Sequence, residues 1–371
     1  MKKIKIVVTG GGTGGHIYPA LAIARGLQEA VAAEILYLGG HDSLEARLVP
    51  EVGITFKGVS TRPLRRKSLA VFNDLMVNKK GQREAQVILN DFQPHIAIGT
   101  GGYASWPVMN AAIKLGIPTL IHEQNVRPGL SNRVLAKKVT AICISFAESK
   151  DFFTVKQRDK ISFTGLPVRA EILQMDRSNA YKFLDLSMDK PVFLITGGSQ
   201  GSQKINDAMV DAWKELIKAG AQIVHLTGEK KYAKVQEKLC QQGLQDEKNL
   251  HLLSYLKRMD YGLAVSDLVL GRAGASFLAE ILCLGIPSIL APFPFAAGNH
   301  QLLNAQVVEK SGGAIIIEDK DLTGRAICEA VLPLLADQQR LEKMSACASG
   351  LGKPEALDNI VDEVLEIVKN S

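Results

Sequence analysis

The stretch Ile6-Val7-Val8-Thr9-Gly10-Gly11-Gly12-Thr13-Gly14-Gly15-His16 has a partner 187 residues further on, Leu194-Ile195-Thr196-Gly197-Gly198-Ser199-Gln200-Gly201-Ser202. Each is an apolar run ending in Thr-Gly-Gly, followed by a glycine-rich loop. Amphipathic sequence follows each loop, over residues 20–30 and 204–219. A strand that turns through small residues into a helix opens a doubly wound α/β unit, and its loop faces the ligand. Two such openings predict two Rossmann-like domains, whose ligands belong in the cleft between them.

The rest of the chain keeps the alternation. Short apolar runs at 4–8, 35–38, 95–98, 119–121 and 139–144, then at 192–196, 222–226, 268–270, 288–290 and 314–317, are separated by helix-like segments. That rhythm predicts parallel sheets covered by helices. Thr164-Gly165-Leu166-Pro167 marks the expected boundary, giving domains at 1–164 and 165–345. The tail, 346–371, holds Leu357, Ile360, Val361, Val364, Leu365 and Val368 at helical spacing, so it needs an apolar surface to pack on.

Composition narrows the class. Of 371 residues, 46% are apolar and 22% charged, as in ordinary globular proteins. The five cysteines form no CxxC pair, so neither a disulfide framework nor a zinc site is expected, and the compartment reads as reducing. Met1-Lys2-Lys3 runs straight into a strand, without the pattern of a signal peptide. The longest uncharged window, 281–308, is broken by Pro287, Pro292 and Pro294, and no transmembrane helix is expected.

Charge is unevenly spread. Residues 1–160 carry 22 basic against 12 acidic side chains, a net +10; the remainder carries 22 against 26, a net −4. Residues 57–83 hold eight basic side chains and one acid, interleaved with Leu64, Leu69, Val71, Phe72, Leu75 and Met76. Such a surface suits an anionic membrane or a large anionic substrate. No nucleic-acid recognition motif accompanies the charge. The plainer alternative is a solvated helix face.

Several loops could carry chemistry. Gly10, Gly12 and Gly15 satisfy GxGxxG, a weak signal alone. A dinucleotide site also wants an acid at the end of the second strand, and Asp42 stands too late for it. His16, which GxGxxG does not require, could take a proton from a hydroxyl, or could simply face solvent at a helix start. Gly197–Ser202 is a second phosphate cradle or a plain tight turn. Gly271 to Glu280 is a strand end, a small-residue turn and a helix; Glu280 could accept two ribose hydroxyls or merely stabilise the helix start. Gly101-Gly102-Tyr103 and Ile121-His122-Glu123-Gln124-Asn125 follow strands on the cleft side, where Glu123 could pair with a base and Asn125 with a sugar hydroxyl. His300 and Gln301 open a helix, and amides suit polyhydroxyl ligands. Asp319 and Asp321 read as a turn and helix cap rather than as a metal site.

Taken together and in order, these motifs, with Gly165-Leu166-Pro167-Val168-Arg169, resemble the bacterial MurG family of peptidoglycan glycosyltransferases, over residues 4–350. The resemblance implies a GT-B architecture, with the C-terminal helix returning to the first domain. It implies an inverting transfer of N-acetylglucosamine from UDP-GlcNAc to the C4 hydroxyl of MurNAc in lipid I, giving lipid II, without metal or cofactor. Arg169 and the backbone near Leu256 would bracket uracil, and Glu280 would take the ribose. Ser199, Ala275 and Ser276 would face the diphosphate. Gln301 and His300 would hold the sugar, with Asn125 reaching it from the first domain. Thr13, Gly14 and Gly15 would close over diphosphate and acceptor. His16 is the candidate base and Glu123 the runner-up, with Tyr103 on the acceptor side. The implied setting is the cytoplasmic face of the cell membrane, with wall-synthesis or division proteins as partners.

Competing readings are another UDP-GlcNAc-dependent transferase, a UDP-GlcNAc epimerase, an NAD-dependent oxidoreductase and a nucleotide sensor. The basic segment gives a direct test of membrane contact. Reversing the charges of Arg65, Arg66 and Lys67 is expected to weaken sedimentation with anionic vesicles at least severalfold, at roughly 1 kcal/mol for each basic residue near the surface. Unchanged sedimentation would remove that segment from the membrane.

Overall fold

The structure, a computed structural model, describes residues 3–63 and 70–371. Arg65, Arg66 and Lys67 therefore lie outside the described residues. The chain divides into two compact units. The first runs to Val168 and takes up the chain again at Lys353–Ser371; the second is Arg169–Gly352.

The first unit is built on a seven-stranded parallel sheet: β1 (Lys5–Thr9), β2 (Glu34–Gly40), β3 (Thr55–Val59), β4 (Ile96–Gly99), β5 (Thr119–Glu123), β6 (Ala141–Ile144) and β7 (Ile161–Phe163). Their order is β3-β2-β1-β4-β5-β6-β7. Strands covered on both faces read as continuous apolar runs, and Ile6, Val7 and Val8 are all fully buried. On one face, Ile17, Ile23 and Leu27 of the helix Gly14–Val31 pack with Ile360, Val361 and Val364 of the C-terminal helix Ala356–Lys369. On the other, Ala85 and Leu89 of Ala70–Phe92 pack with Val108 and Met109 of Ser105–Lys114.

The second unit has six parallel strands: β8 (Val192–Thr196), β9 (Gln222–Leu226), β10 (Leu250–Leu253), β11 (Leu268–Gly271), β12 (Ser288–Leu290) and β13 (Ala314–Ile316). Their order is β10-β9-β8-β11-β12-β13. Trp213, Met209 and Leu216 of the helix Gln203–Lys218 fill the core against Phe193 and Ile195. The expected tail began at 346, inside the continuous helix Gln338–Leu351, whose Leu341 and Met344 belong to the second unit's core. The chain re-enters the first unit at Lys353, once that helix has ended at Leu351 with Gly352 as its C-cap.

In both sheets the strand order reverses beside the first strand, between β1 and β4 and between β8 and β11. Loops leaving the carboxyl ends at such a point diverge and open a crevice. Both glycine loops arise there. Among the described residues no helix is long and apolar enough to cross a membrane.

Each unit also buries one histidine completely, His122 on β5 and His225 on β9. Burial lowers their pKa values to about 4 and about 3 respectively, so both are neutral when the protein is folded. Unfolded, they titrate near 6.5. Between pH 6.5 and 4 the unfolded chain thus binds protons that the folded chain refuses, and stability falls as pH falls. At pH 5 each unit should have lost about 2 kcal/mol relative to pH 7 from its histidine alone. Urea unfolding at the two pH values measures this, and equal midpoints would contradict it.

Candidate functional site

In the first unit, Gly10 to Thr13 leads from β1 into the helix Gly14–Val31, with Thr13 as its N-cap residue. This loop lies against the turn after β4. Gly11 donates its N–H to the Gly101 carbonyl at 3.3 Å. Gly102 has φ +80°, and a Cβ there would stand 1.9 Å from the Gly11 carbonyl oxygen. Only glycine permits that approach. Buried Glu45 braces the loop from behind, accepting from Gly12 N at 3.3 Å and Gly40 N at 3.1 Å. The Tyr103 ring sits over Gly12, and burial, reinforced by Glu45, raises its phenol pKa.

His16, in the first turn of the helix, is half-buried. Its Nδ1 lies 3.0 Å from the Thr100 carbonyl and 2.9 Å from Gln124 Oε1. Both partners are acceptors, so the neutral ring carries its proton on Nδ1 and its lone pair on Nε2. Thr13 and Gly15 are exposed and Gly14 half-buried beside it.

Glu123, at the end of β5, is 1% exposed. Its carboxylate accepts from Asn125 N at 3.0 Å, Asn125 Nδ2 at 3.3 Å, Gly129 N at 3.0 Å and Asn132 Nδ2 at 2.9 Å. Four donors engage the two oxygens, an arrangement that shapes the loop 125–129 and orients Asn125.

In the second unit, Gly197 to Ser202 turns from β8 into the helix Gln203–Lys218, and Ser199 is exposed on the turn. Ser202 caps that helix through Ile205 N at 3.4 Å. After β11, Gly274 precedes the helix Ala275–Cys283, and no side chain caps its first turn. Ala275 and Ser276 thus sit where a helix offers free N–H groups and positive potential to an anion. Glu280, further along the helix, pairs with Arg169, whose Nε and Nη2 donate to Oε1 at 3.1 and 3.0 Å. Burial holds the Glu280 carboxyl above its ordinary range, and Arg169 offsets only part of that rise.

Gln301 Oε1 accepts from Phe293 N at 2.9 Å, which fixes the amide's orientation. His300 Nδ1 donates to the Ala297 carbonyl at 2.9 Å. Leu256 is a core side chain, 7% exposed, packed on Gly262.

Four residues escaped the sequence reading. His122 and Gln124 were visible only as members of a polar cluster, and Glu45 gave no local signal. Arg272 stands inside a motif without a role of its own. The structure gives it one: Nη2 donates to Ser202 Oγ at 2.7 Å, Nη1 donates to the Ala291 carbonyl at 3.0 Å, and Nη1 meets Asp319 Oδ1 at 2.6 Å. It ties together the carboxyl ends of four strands, and Asp319 spends its charge there.

Two parallel-sheet units, each with an anion-ready loop at its switch point, define the GT-B class of nucleotide-sugar enzymes. The models of the glycosyltransferase family 28 N-terminal and C-terminal domains match residues 6–144 and 192–360. A protein of Desulfitobacterium hafniense strain Y51 is 46% identical over 98% of this chain and 99% of its own length; one of Halothermothrix orenii is 43% identical over 99% and 100%. Both are named UDP-N-acetylglucosamine--N-acetylmuramyl-(pentapeptide) pyrophosphoryl-undecaprenol N-acetylglucosamine transferase. The crystal structure of Acinetobacter baumannii MurG is 26% identical, with a TM-score of 0.79, covering 98% of this chain and 99% of that one. The chain belongs to glycosyltransferase family 28 and, within it, to the MurG family.

Proposed function

We propose that this chain transfers N-acetylglucosamine from UDP-GlcNAc to the C4 hydroxyl of MurNAc in lipid I, releasing lipid II and UDP. The observation that carries this reading is the 43–46% identity, across essentially the whole of both chains, to transferases of that name.

The geometry supports a division of labour. The second unit takes the donor. Glu280 accepts the ribose hydroxyls, exchanging part of its bond to Arg169, which with the backbone near Leu256 receives the uracil. Ser199, Ala275 and Ser276 face the diphosphate from two helix starts. Gln301 and His300 hold the sugar. As the bond between C1 and the phosphate oxygen breaks, its electron pair goes to UDP, where free N–H groups stabilise it. The first unit supplies His16 Nε2, which takes the proton as the acceptor oxygen attacks C1. Glu123, its lone pairs engaged, organises the loop that carries Asn125. Thr13, Gly14, Gly15 and Tyr103 border the acceptor.

Membrane contact belongs to the same reading. The helix Ala70–Phe92 buries Asp74, Asn78 and Gln82 yet exposes Phe72, Leu75 and Met76. Apolar side chains outward, beside a basic segment, support peripheral docking on an anionic cytoplasmic leaflet.

UDP release, measured with and without a short-chain lipid I analogue, tests the proposal. Release should require the acceptor, persist in EDTA, and fall by about 10²-fold or more in His16→Ala. Acceptor-independent release would instead indicate hydrolysis or epimerase chemistry.

A further inference from the structure

A chain of hydrogen bonds runs inward from the reacting end of His16. His16 Nδ1 donates to Gln124 Oε1 at 2.9 Å. The Gln124 amide nitrogen points the other way, at the Thr100 carbonyl, the His122 carbonyl and His122 Nδ1, at 2.9, 2.9 and 3.1 Å. His122 Nε2 donates to the Gly165 carbonyl at 2.9 Å. Gln124 and His122 are 1% and 0% exposed, so water does not compete for these bonds.

The ends of this chain fix every proton in it. A carbonyl can only accept, so Gly165 requires the hydrogen on His122 Nε2 and leaves His122 Nδ1 as an acceptor. That acceptor and the Thr100 and His122 carbonyls all require the nitrogen of the Gln124 amide on their side, sharing its two hydrogens, which turns Oε1 toward His16. Oε1 and the Thr100 carbonyl then both require the hydrogen on His16 Nδ1. The anchor itself is set by backbone: Gly165 has φ +88°, and a Cβ there would stand 2.5 Å from Lys353 Cβ. Burial keeps His122 neutral, with a pKa of about 4, so the direction of the chain does not reverse near neutral pH.

We propose that Gln124 and His122 are positioning residues that lock His16 in its Nδ1–H tautomer, reserving the Nε2 lone pair for the acceptor hydroxyl. This rests on the reading of His16 as the base. It differs from a base backed by a carboxylate. The imidazolium formed in the transfer is stabilised here by two neutral dipoles, so the arrangement supplies orientation and tautomer without a buried counter-charge.

The test uses protein carrying 15N only in histidine. A long-range proton–nitrogen spectrum reports which ring nitrogen bears hydrogen, and His16→Ala assigns the signal. Wild type should show His16 protonated at Nδ1 and His122 at Nε2. In Gln124→Met, which keeps length and removes the polar atoms, an Nε2–H population of His16 should appear. Its kcat should fall about 10-fold or more, with KM for UDP-GlcNAc unchanged. The wild-type spectrum decides the matter even if that variant folds poorly. A wild-type His16 protonated at Nε2 would overturn the lock, as would a Gln124→Met enzyme with unchanged spectrum and kcat. Full activity in His16→Ala would instead overturn the base reading, with the wild-type spectrum left as assigned.

Discussion

The contact on which the first unit's site depends is backbone against backbone. The Gly11 carbonyl and the Gly102 α-carbon approach so closely that no β-carbon fits between them. That approach brings the loop after β1 onto the turn after β4, and with it the first helical turn onto the Thr100 carbonyl. His16 is thereby held by Nδ1 and presents Nε2. Glu45 behind the loop and the Gln124 amide beside it complete the setting proposed to fix the histidine's tautomer before any substrate arrives. Preorganisation of this kind lowers a barrier because little has to turn during the reaction.

The second unit solves a different problem with the same sheet. In the proposed reaction it receives negative charge rather than removing a proton, and its β8 and β11 loops each lead into a helix start. Arg272 holds those loops and the ends of β12 and β13 through one guanidinium. Its charge is largely used inside the protein, by Asp319, which leaves backbone N–H groups to meet an anion. The pair Arg169 and Glu280 is poised differently. Both are partly accessible, and in the proposed reading a bound nucleoside substitutes for each in the other's bond.

Much of this was legible in the chain itself. The two Thr-Gly-Gly loops announced two doubly wound units, because glycine is needed where a strand turns tightly into a helix. Interior strands such as 192–196 stood out because burial on both faces demands unbroken apolar runs. The strands that went unread, β3, β7 and β10, all lie at sheet edges, where Thr55, Lys57 and Ser162 dilute the pattern. Site residues on the glycine loops were visible by position. Glu45, Gln124 and Arg272 were not, because each acts on residues distant in sequence: Glu45 on Gly12, Gln124 on His16, Arg272 on Ser202 and Asp319. Local spacing carries no trace of such pairings. Glu123 was visible as an acid at a strand end, but only its four donors disclose that it shapes a loop.

The proposed reaction is a single displacement at C1 of the sugar, assisted by a base, onto one hydroxyl of the acceptor. The most direct measurement is the linkage and anomeric configuration of the product formed from UDP-GlcNAc and a lipid I analogue, read by NMR. The expected product carries a β linkage to C4 of MurNAc, inverted from the α-linked donor. An α linkage would contradict a single inverting displacement. A UDP-linked sugar epimer in place of a disaccharide would contradict the transfer altogether.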